Sequence, residues 1–242
     1  MAAQPTLIIH LARASARRAN VDSLLATQGL AAKVLEATDA RAMDDTARAA
    51  LFRPNLFAPR YPFALNAAEI ACFQSHRRTW EAIAAQDAPV LTLEDDAQLG
   101  AGFDAALTLA QRASADHGVV QLQTRPCYGP ALDHEGPAQL YHPTITPVRA
   151  TAQLITPEAA RHLLSHAALF DRPVDTFIQC HWHTGLRPAV IYPSGVSEIG
   201  NTIGGSTIQP KGARSLRETL SREWGRFSYR RALARASRRS PA

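Results

Sequence analysis

The sequence predicts an α/β domain with a mostly parallel central sheet flanked by helices. Three observations carry that prediction. Apolar runs of strand length alternate with stretches of helical periodicity, helix start and stop signals fall between them, and no internal repeat or interdomain linker breaks the series. A length of 242 residues fits one large domain, and 46% hydrophobic against 19% charged residues supplies a core and argues against disorder.

Thr6 to Leu11 is the first buried-strand candidate, followed by helical spacing over 14–28 (Val21, Leu24, Leu25) that stops at Gly29, a C-cap signal. Ala32 to Glu36 is a second short strand, and 53–65, with three prolines, reads as a loop. Asn66 with Glu69 three residues on is a capping-box pattern opening a helix over 66–86, with Ile70, Phe73, Trp80 and Ile83 at core-like offsets. Pro89 to Leu93 reads as a buried strand running into Glu94-Asp95-Asp96, 103–115 as a helix, and Val119 to Gln123 as a strand. Residues 124–147, rich in Pro, Gly and His, read as irregular. Thr151 to Ile155 is a strand; Thr156 as N-cap and Pro157 at N1 then open a helix to Ala168. Asp175 to Trp182 reads as a short helix, Pro188 to Tyr192 as a last strand, and 195–210 as a Gly/Ser/Thr loop.

The charge is divided unevenly. Residues 1–208 hold 16 basic and 19 acidic side chains, whereas 209–242 hold 10 basic and 2 acidic ones. The overall net charge of +5 therefore belongs to a tail, and nucleic acid is not the expected partner. This division sets a body over 1–210 apart from an Arg-rich segment over 211–242. In the latter, Leu216, Leu220, Trp224 and Phe227 fall on one helical stripe with arginines around it. Such a helix suits the interface of an anionic membrane; the alternative is that the stripe packs on the body. An odd number of cysteines (Cys72, Cys127, Cys180), no C-x-x-C pair, no leader-like N-terminus and no run of membrane-spanning length lead us to expect a cytoplasmic protein, at most peripheral on a membrane.

Val90-Leu-Thr-Leu93-Glu94-Asp95-Asp96 puts three carboxylates where a buried strand emerges, the edge at which open α/β sheets bind ligands. Adjacent carboxylates call for a cation, and oxygen-only donors suit Mg²⁺ or Mn²⁺ held together with substrate phosphates. The alternative is that one of the aspartates caps the helix near 103 and the others are solvated. Arg13, Arg17 and Arg18, where the first strand turns into a helix, suit phosphate or form a solvated basic face. On helix 66–86, Glu69, Ser75 and His76 lie near the Cys72 face; alone they say only that the helix is amphipathic. Asp175 stands at a helix start, an N-cap unless it faces the cleft, and His181 and His183 are spaced so that only one can point at a given site. G-x-G-x-x-G, G-x-x-x-x-G-K-[ST] and G-x-S-x-G are absent, which removes the main support for dinucleotide, P-loop and serine-hydrolase readings.

Several segments fit one pattern in one order: LIIHLARASARR, LNAAEIACFQSHRRTWEAI, VLTLEDDA, TAQLITPEAARHLL and PVDTFI. Together they resemble glycosyltransferase family 25, the bacterial lipooligosaccharide glycosyltransferases, with EIACFQSH and LEDD as the specific pieces. The chain departs from the pattern at His10, where Asn is common, and at Ala71, where Gly is usual. The resemblance implies a GT-A-like nucleotide-sugar-binding fold and an inverting transferase. Well-known members move galactose from UDP-galactose to a lipooligosaccharide acceptor in β-1,4 linkage. In that pattern Glu94, Asp95 and Asp96 match the acidic metal–diphosphate motif, Glu69, Ser75 and His76 the helix motif and Asp175 the P-V-D aspartate. From the chemistry we expect Asp96, with Glu94, to hold Mn²⁺ or Mg²⁺, Asp95, Arg13, Arg18, Glu69, Ser75 and His76 to contact the donor, and Asp175 to deprotonate the acceptor. A metal-dependent phosphohydrolase is the alternative enzyme, although His10-Leu11-Ala12 stands where such enzymes of haloacid-dehalogenase type carry an Asp nucleophile. A non-catalytic glycan- or membrane-binding relative is the third reading.

Overall fold

The computed structural model describes residues 2–200 and 216–239, with side chains from 223 onward in the last helix. The chain runs β1 (Gln4–His10), α1 (Arg18–Leu25), β2 (Leu30–Glu36), α2 (Asp45–Leu51), α3 (Ala67–Ala84), β3 (Val90–Glu94), β4 (Ala97–Leu99), α4 (Phe103–His117) and β5 (Val119–Leu122). It continues through β6 (Ala131–Glu135), β7 (Ala138–Tyr141), β8 (Ala152–Ile155), α5 (Pro157–His166), α6 (Val174–Gln179), α7 (His181–Thr184), β9 (Ala189–Tyr192), β10 (Val196–Glu198) and α8 (Leu216–Arg239).

Eight strands form one sheet in the order β2-β1-β3-β8-β5-β9-β7-β6. The pairs β1–β2, β1–β3 and β5–β9 are parallel. β8 enters antiparallel between β3 and β5, and the β6–β7 hairpin extends the β9 edge antiparallel. The result is the expected α/β class, with a mixed sheet whose parallel half contains β1 and β3. Alternation along the strands assigns the two faces. Ile8, Leu91, Leu93, Val120 and Leu154 pack with Val21 and Leu24 of α1 and with Phe103, Ala106 and Leu109 of α4. Leu7, Val90, Val119 and Ile155 pack with Phe73, Trp80 and Ile83 of α3, Leu163 of α5 and Phe177 of α6. Phe73 stacks on Phe170 at 3.7 Å between ring centroids and meets Phe177 edge-on at 5.2 Å, so one aromatic cluster joins α3, the segment after α5, and α6.

Local signals explain most boundaries. The capping box forms as its residues predict: Asn66 Oδ1 accepts from Glu69 N at 2.9 Å and Glu69 Oε2 accepts from Asn66 N at 2.8 Å. Thr156 Oγ1 accepts from Ala159 N at 3.1 Å, with Pro157 opening α5. Helix α1 stops short of the expected Gly29 cap: Ala26 is its C-cap, the N–H donating to Asp22 O at 3.1 Å, and Gly29, at φ +81°, makes the turn into β2 instead.

Four further expectations are corrected. Helix α2 stands where no helix was anticipated; Asp44 caps it, its Oδ1 accepting from Ala47 N at 2.7 Å. The stretch 124–147 is not irregular throughout, since Ala131–Glu135 and Ala138–Tyr141 pair as a hairpin turning at Gly136 (φ +53°). That hairpin lies at the sheet edge, where half its side chains face solvent and the apolar signal is lost. The helix expected over 175–182 breaks at Cys180 into α6 and α7. The loop read from 195 onward begins with β10, which pairs antiparallel with β4; 201–210 lie outside the described residues. Gly195 is required beside it, because a Cβ there would come within 2.3 Å of Phe103 N at the start of α4.

The segment 53–65 carries no helix or strand, as its prolines predict, and Arg172 ties it down. Fully buried, the Arg172 guanidinium donates to Asp171 Oδ1 (2.6 Å) and to the carbonyls of Phe57 (2.9 Å) and Pro59 (3.1 Å), and reaches Tyr229 OH of α8 at 3.2 Å. α8 thus docks on the body through Tyr229, the buried Leu233 and the buried Ser237, whose hydroxyl donates to Thr144 O. Of the stripe expected to carry the helix's apolar face, Leu216 and Leu220 have side chains outside the described ones. Trp224 and Phe227 are exposed (71% and 52%).

Candidate active site

A cleft of about 300 Å³ opens at the carboxyl ends of β1 and β3. Its wall includes Ile9 and Leu11 from the end of β1, Glu94, Asp95 and Asp96 from the end of β3, and Cys72, Ser75 and His76 from one face of α3. Arg13, Arg17, Thr38, Arg149, Glu198 and Gly200 complete it.

The three carboxylates have different surroundings. Asp95 is 5% exposed and its oxygens are taken by the protein: Arg17 Nη1 donates to Oδ1, and the His10 ring nitrogen Nδ1 meets Oδ2 at 2.9 Å. Asn20 Nδ2 donates to its backbone carbonyl at 2.9 Å and to that of Ala97 at 2.8 Å. Asp95 therefore anchors the loop after β3, and His10, the departure from the family pattern, is one of its anchors. Neither Asp95 nor Asp96 caps α4, whose N-cap is Gly102.

Asp96 lies against the cleft with its Oδ2 3.2 Å from Arg17 Nη2. Its Oδ1 is buried with no hydrogen-bond partner among the described residues. Burial, followed by the charge of Glu94, pushes its carboxyl up to about 6, against the pull of Arg17. Gly200 closes over it: a Cβ there would lie 2.5 Å from Asp96 Oδ2. Glu94 faces α3, its Oε1 3.3 Å from His76 Nε2, and its backbone N–H donates to Thr151 O at 2.9 Å.

Ser75 stitches backbone together rather than presenting a free hydroxyl. Its Oγ donates to Ala71 O at 2.8 Å and accepts from Thr38 N at 2.9 Å, fixing the loop after β2 against α3. Glu69 makes the capping box and is not part of the cleft wall. Arg13 lines the cleft while donating to Asp39 Oδ2 at 2.8 Å. Arg18 does not reach the cleft; it is exposed and pairs with Asp22 one turn along α1 at 2.9 Å. The guanidinium at the site is that of its neighbour Arg17.

Asp175 stands at the start of α6, beside the cleft rather than in its wall, with Oδ1 accepting from Thr176 N at 2.7 Å. Burial raises its carboxyl above the usual range; Glu94 adds to the rise and Arg149 opposes it. His181 and His183 sit on α7 and neither lines the cleft; the His183 ring lies 3.7 Å from that of Phe57.

Two cleft residues had no sequence signal. Arg149 adopts φ +131°, unusual for a side chain with a Cβ, and its Nη1 lies 3.4 Å from Glu198 Oε2. Glu198 Oε1 accepts from Thr151 Oγ1 at 2.6 Å. Each is an isolated polar residue in a loop or a three-residue strand, and only the chain's return to the β3 end brings it here.

Comparison with protein families gives one match, to the model of glycosyltransferase family 25 (LPS biosynthesis protein) over residues 3–129. No curated protein matches the chain. The matched region contains β1, α3 and β3 with the whole acidic triplet, whereas Arg149, Asp175 and Glu198 lie beyond it. The carboxylate-lined cleft at the β1 and β3 ends thus falls in a chain that belongs to glycosyltransferase family 25, the glycosyltransferases of LPS biosynthesis, and the membership implies a nucleotide-sugar donor and a glycan acceptor.

Proposed function

We propose that the protein is an inverting, metal-dependent hexosyltransferase that moves a hexose, galactose by family resemblance, from a UDP-sugar to a lipooligosaccharide or related cell-surface glycan. The observation that carries the reading is Asp96: a partly buried carboxylate, one oxygen of which is buried with no hydrogen-bond partner among the described residues, facing a polar cleft where a parallel strand ends. That environment suits a hard divalent cation, Mn²⁺ or Mg²⁺, with Glu94 as the second protein ligand. When bound, such an ion neutralises charge on the donor's diphosphate.

The chain's own residues supply the remaining chemistry. Arg17 holds Asp95 and Asp96 in place, while Arg13 and Arg149 bring positive charge to the cleft where the departing phosphate gains negative charge. Inversion requires a single displacement. The acceptor hydroxyl oxygen bonds to the anomeric carbon as the bond to the diphosphate breaks, and the hydroxyl proton passes to a carboxylate. Asp175 is the proposed base; Oδ1 is held by Thr176, and a raised affinity for protons suits the role. Peripheral contact with an anionic membrane through 215–242, on the cytoplasmic side, is part of the same proposal, since it would bring the cleft to a membrane-borne acceptor. Among the described residues, no helix is long and apolar enough to cross a membrane.

Incubation with a panel of UDP-sugars and Mn²⁺ tests the reading. UDP release from one donor is expected, with loss of at least 100-fold in Asp96→Ala at an unchanged circular dichroism spectrum. Broad phosphomonoesterase activity, or no UDP release and no nucleotide-induced rise in Tm, would overturn it.

A further inference from the structure

The acidic triplet and the arginines account for one side of the cleft but leave its α3 wall unexplained. Cys72 and His76 are four residues apart, so a helix presents both on one face. Among the described residues they form, with Glu94, a group of three whose ligand atoms all lie within 4.8 Å of one another. His76 Nε2 and Glu94 Oε1 are already 3.3 Å apart. Bonds of about 2.0–2.3 Å to one tetrahedral ion put neighbouring donors roughly 3.3–3.7 Å apart, so this pair is at coordination spacing, and the sulfur, within 4.8 Å of both, has at most about 1 Å to close.

We propose that Cys72, His76 and Glu94 form a second cation site in the cleft, for an ion of the zinc class, next to the position at Asp96 and sharing the Glu94 carboxylate with it. The donor set selects the ion. Thiolate and imidazole favour Zn²⁺ over Mg²⁺ or Mn²⁺, which favour oxygen. Three protein donors leave a fourth position, and because all three residues line the cleft, that position faces bound ligand. The frame is rigid: α3 is capped at Asn66 and buried along its far side, and Glu94 is held by its bond to Thr151. Burial, and after it the negative charge of Glu94, Asp175, Glu69 and Asp96, pushes the Cys72 thiol well up, so the sulfur keeps its proton until a cation arrives to displace it, and the same carboxylates draw that cation in. On binding, the thiol proton is released to solvent and the sulfur coordinates as thiolate.

The test is a Co²⁺ titration of chelator-treated full-length protein, read as thiolate-to-cobalt charge-transfer absorption. The expected result is a band that saturates at one equivalent, is erased by one equivalent of Zn²⁺, disappears in Cys72→Ser and persists in Asp96→Asn. Glu94→Gln, which keeps the thiol and the side-chain size, is expected to weaken Co²⁺ binding at least tenfold, and this covers the case in which Cys72→Ser does not fold. No band in the wild type, an undiminished band in Cys72→Ser, undiminished affinity in Glu94→Gln, or a band lost in Asp96→Asn each overturns the proposal. UDP binding with Mn²⁺ is measured separately in Asp96→Asn, a variant expected to lose it while keeping the cobalt band, so the two readings fail independently.

Discussion

Asp96 illustrates how one position can trade stability for chemistry. Its carboxyl titrates near 6 in the folded chain against 3.8 for the free side chain, so the native state holds that proton more tightly than the unfolded one. The contribution to stability is complete below about pH 4 and is lost as the pH rises through 6. Asp96→Asn removes the charge and also the ion pair with Arg17 at 3.2 Å. In chelating buffer the variant is expected to be more stable than wild type at pH 7.5 by roughly 1–3 kcal/mol, with the gap closing toward pH 4. Urea unfolding at both pH values checks this, and a gap that widens on acidification would reverse the assignment. Asp95, one residue earlier, shows the opposite arrangement: His10 and Arg17 occupy its oxygens, and it serves as an anchor.

Among the elements, α8 departs furthest from its sequence pattern. The face that docks runs through Tyr229, Leu233 and Ser237, spaced by four residues. Trp224 and Phe227 are left exposed with their rings 6.0 Å apart, and Arg231 lies 5.6 Å over the Phe227 ring. Exposed aromatic residues among arginines suit the interface of an anionic bilayer. The double variant Trp224→Ser, Phe227→Ser is expected to lose at least tenfold in affinity for vesicles containing phosphatidylserine while its Tm changes little. Equal partition of the two proteins in vesicle sedimentation would exclude this face from membrane contact.

For the molecule as a whole, the sheet order sets where stability is concentrated. β8 is paired on both sides, by β3 and β5, and every residue from Ala152 to Ile155 is buried. Among the described residues β6 ends the sheet with no further strand beside it, and α2 has no buried residue. In native-state hydrogen exchange, amides of β3, β5 and β8 are expected to open only with global unfolding, and those of β6 and α2 well before. Comparable protection of β6 and β8 would contradict that order.

Whatever depends on neighbours in the chain was legible in the residues alone. The capping box at Asn66 and Glu69, the Thr156-Pro157 helix start, the strand ending in the acidic triplet and the α/β alternation all rest on contacts spanning a few residues, and all are found. Tertiary structure decided what depends on the chain's return. It selected Arg17 over Arg18, locked Asp95 while leaving an oxygen of Asp96 open, inserted β8 antiparallel, and carried Arg149 and Glu198 to the β3 end. The physical reason is that a side chain's charge state and partners are set by burial and by groups distant in sequence, and local periodicity carries no record of either.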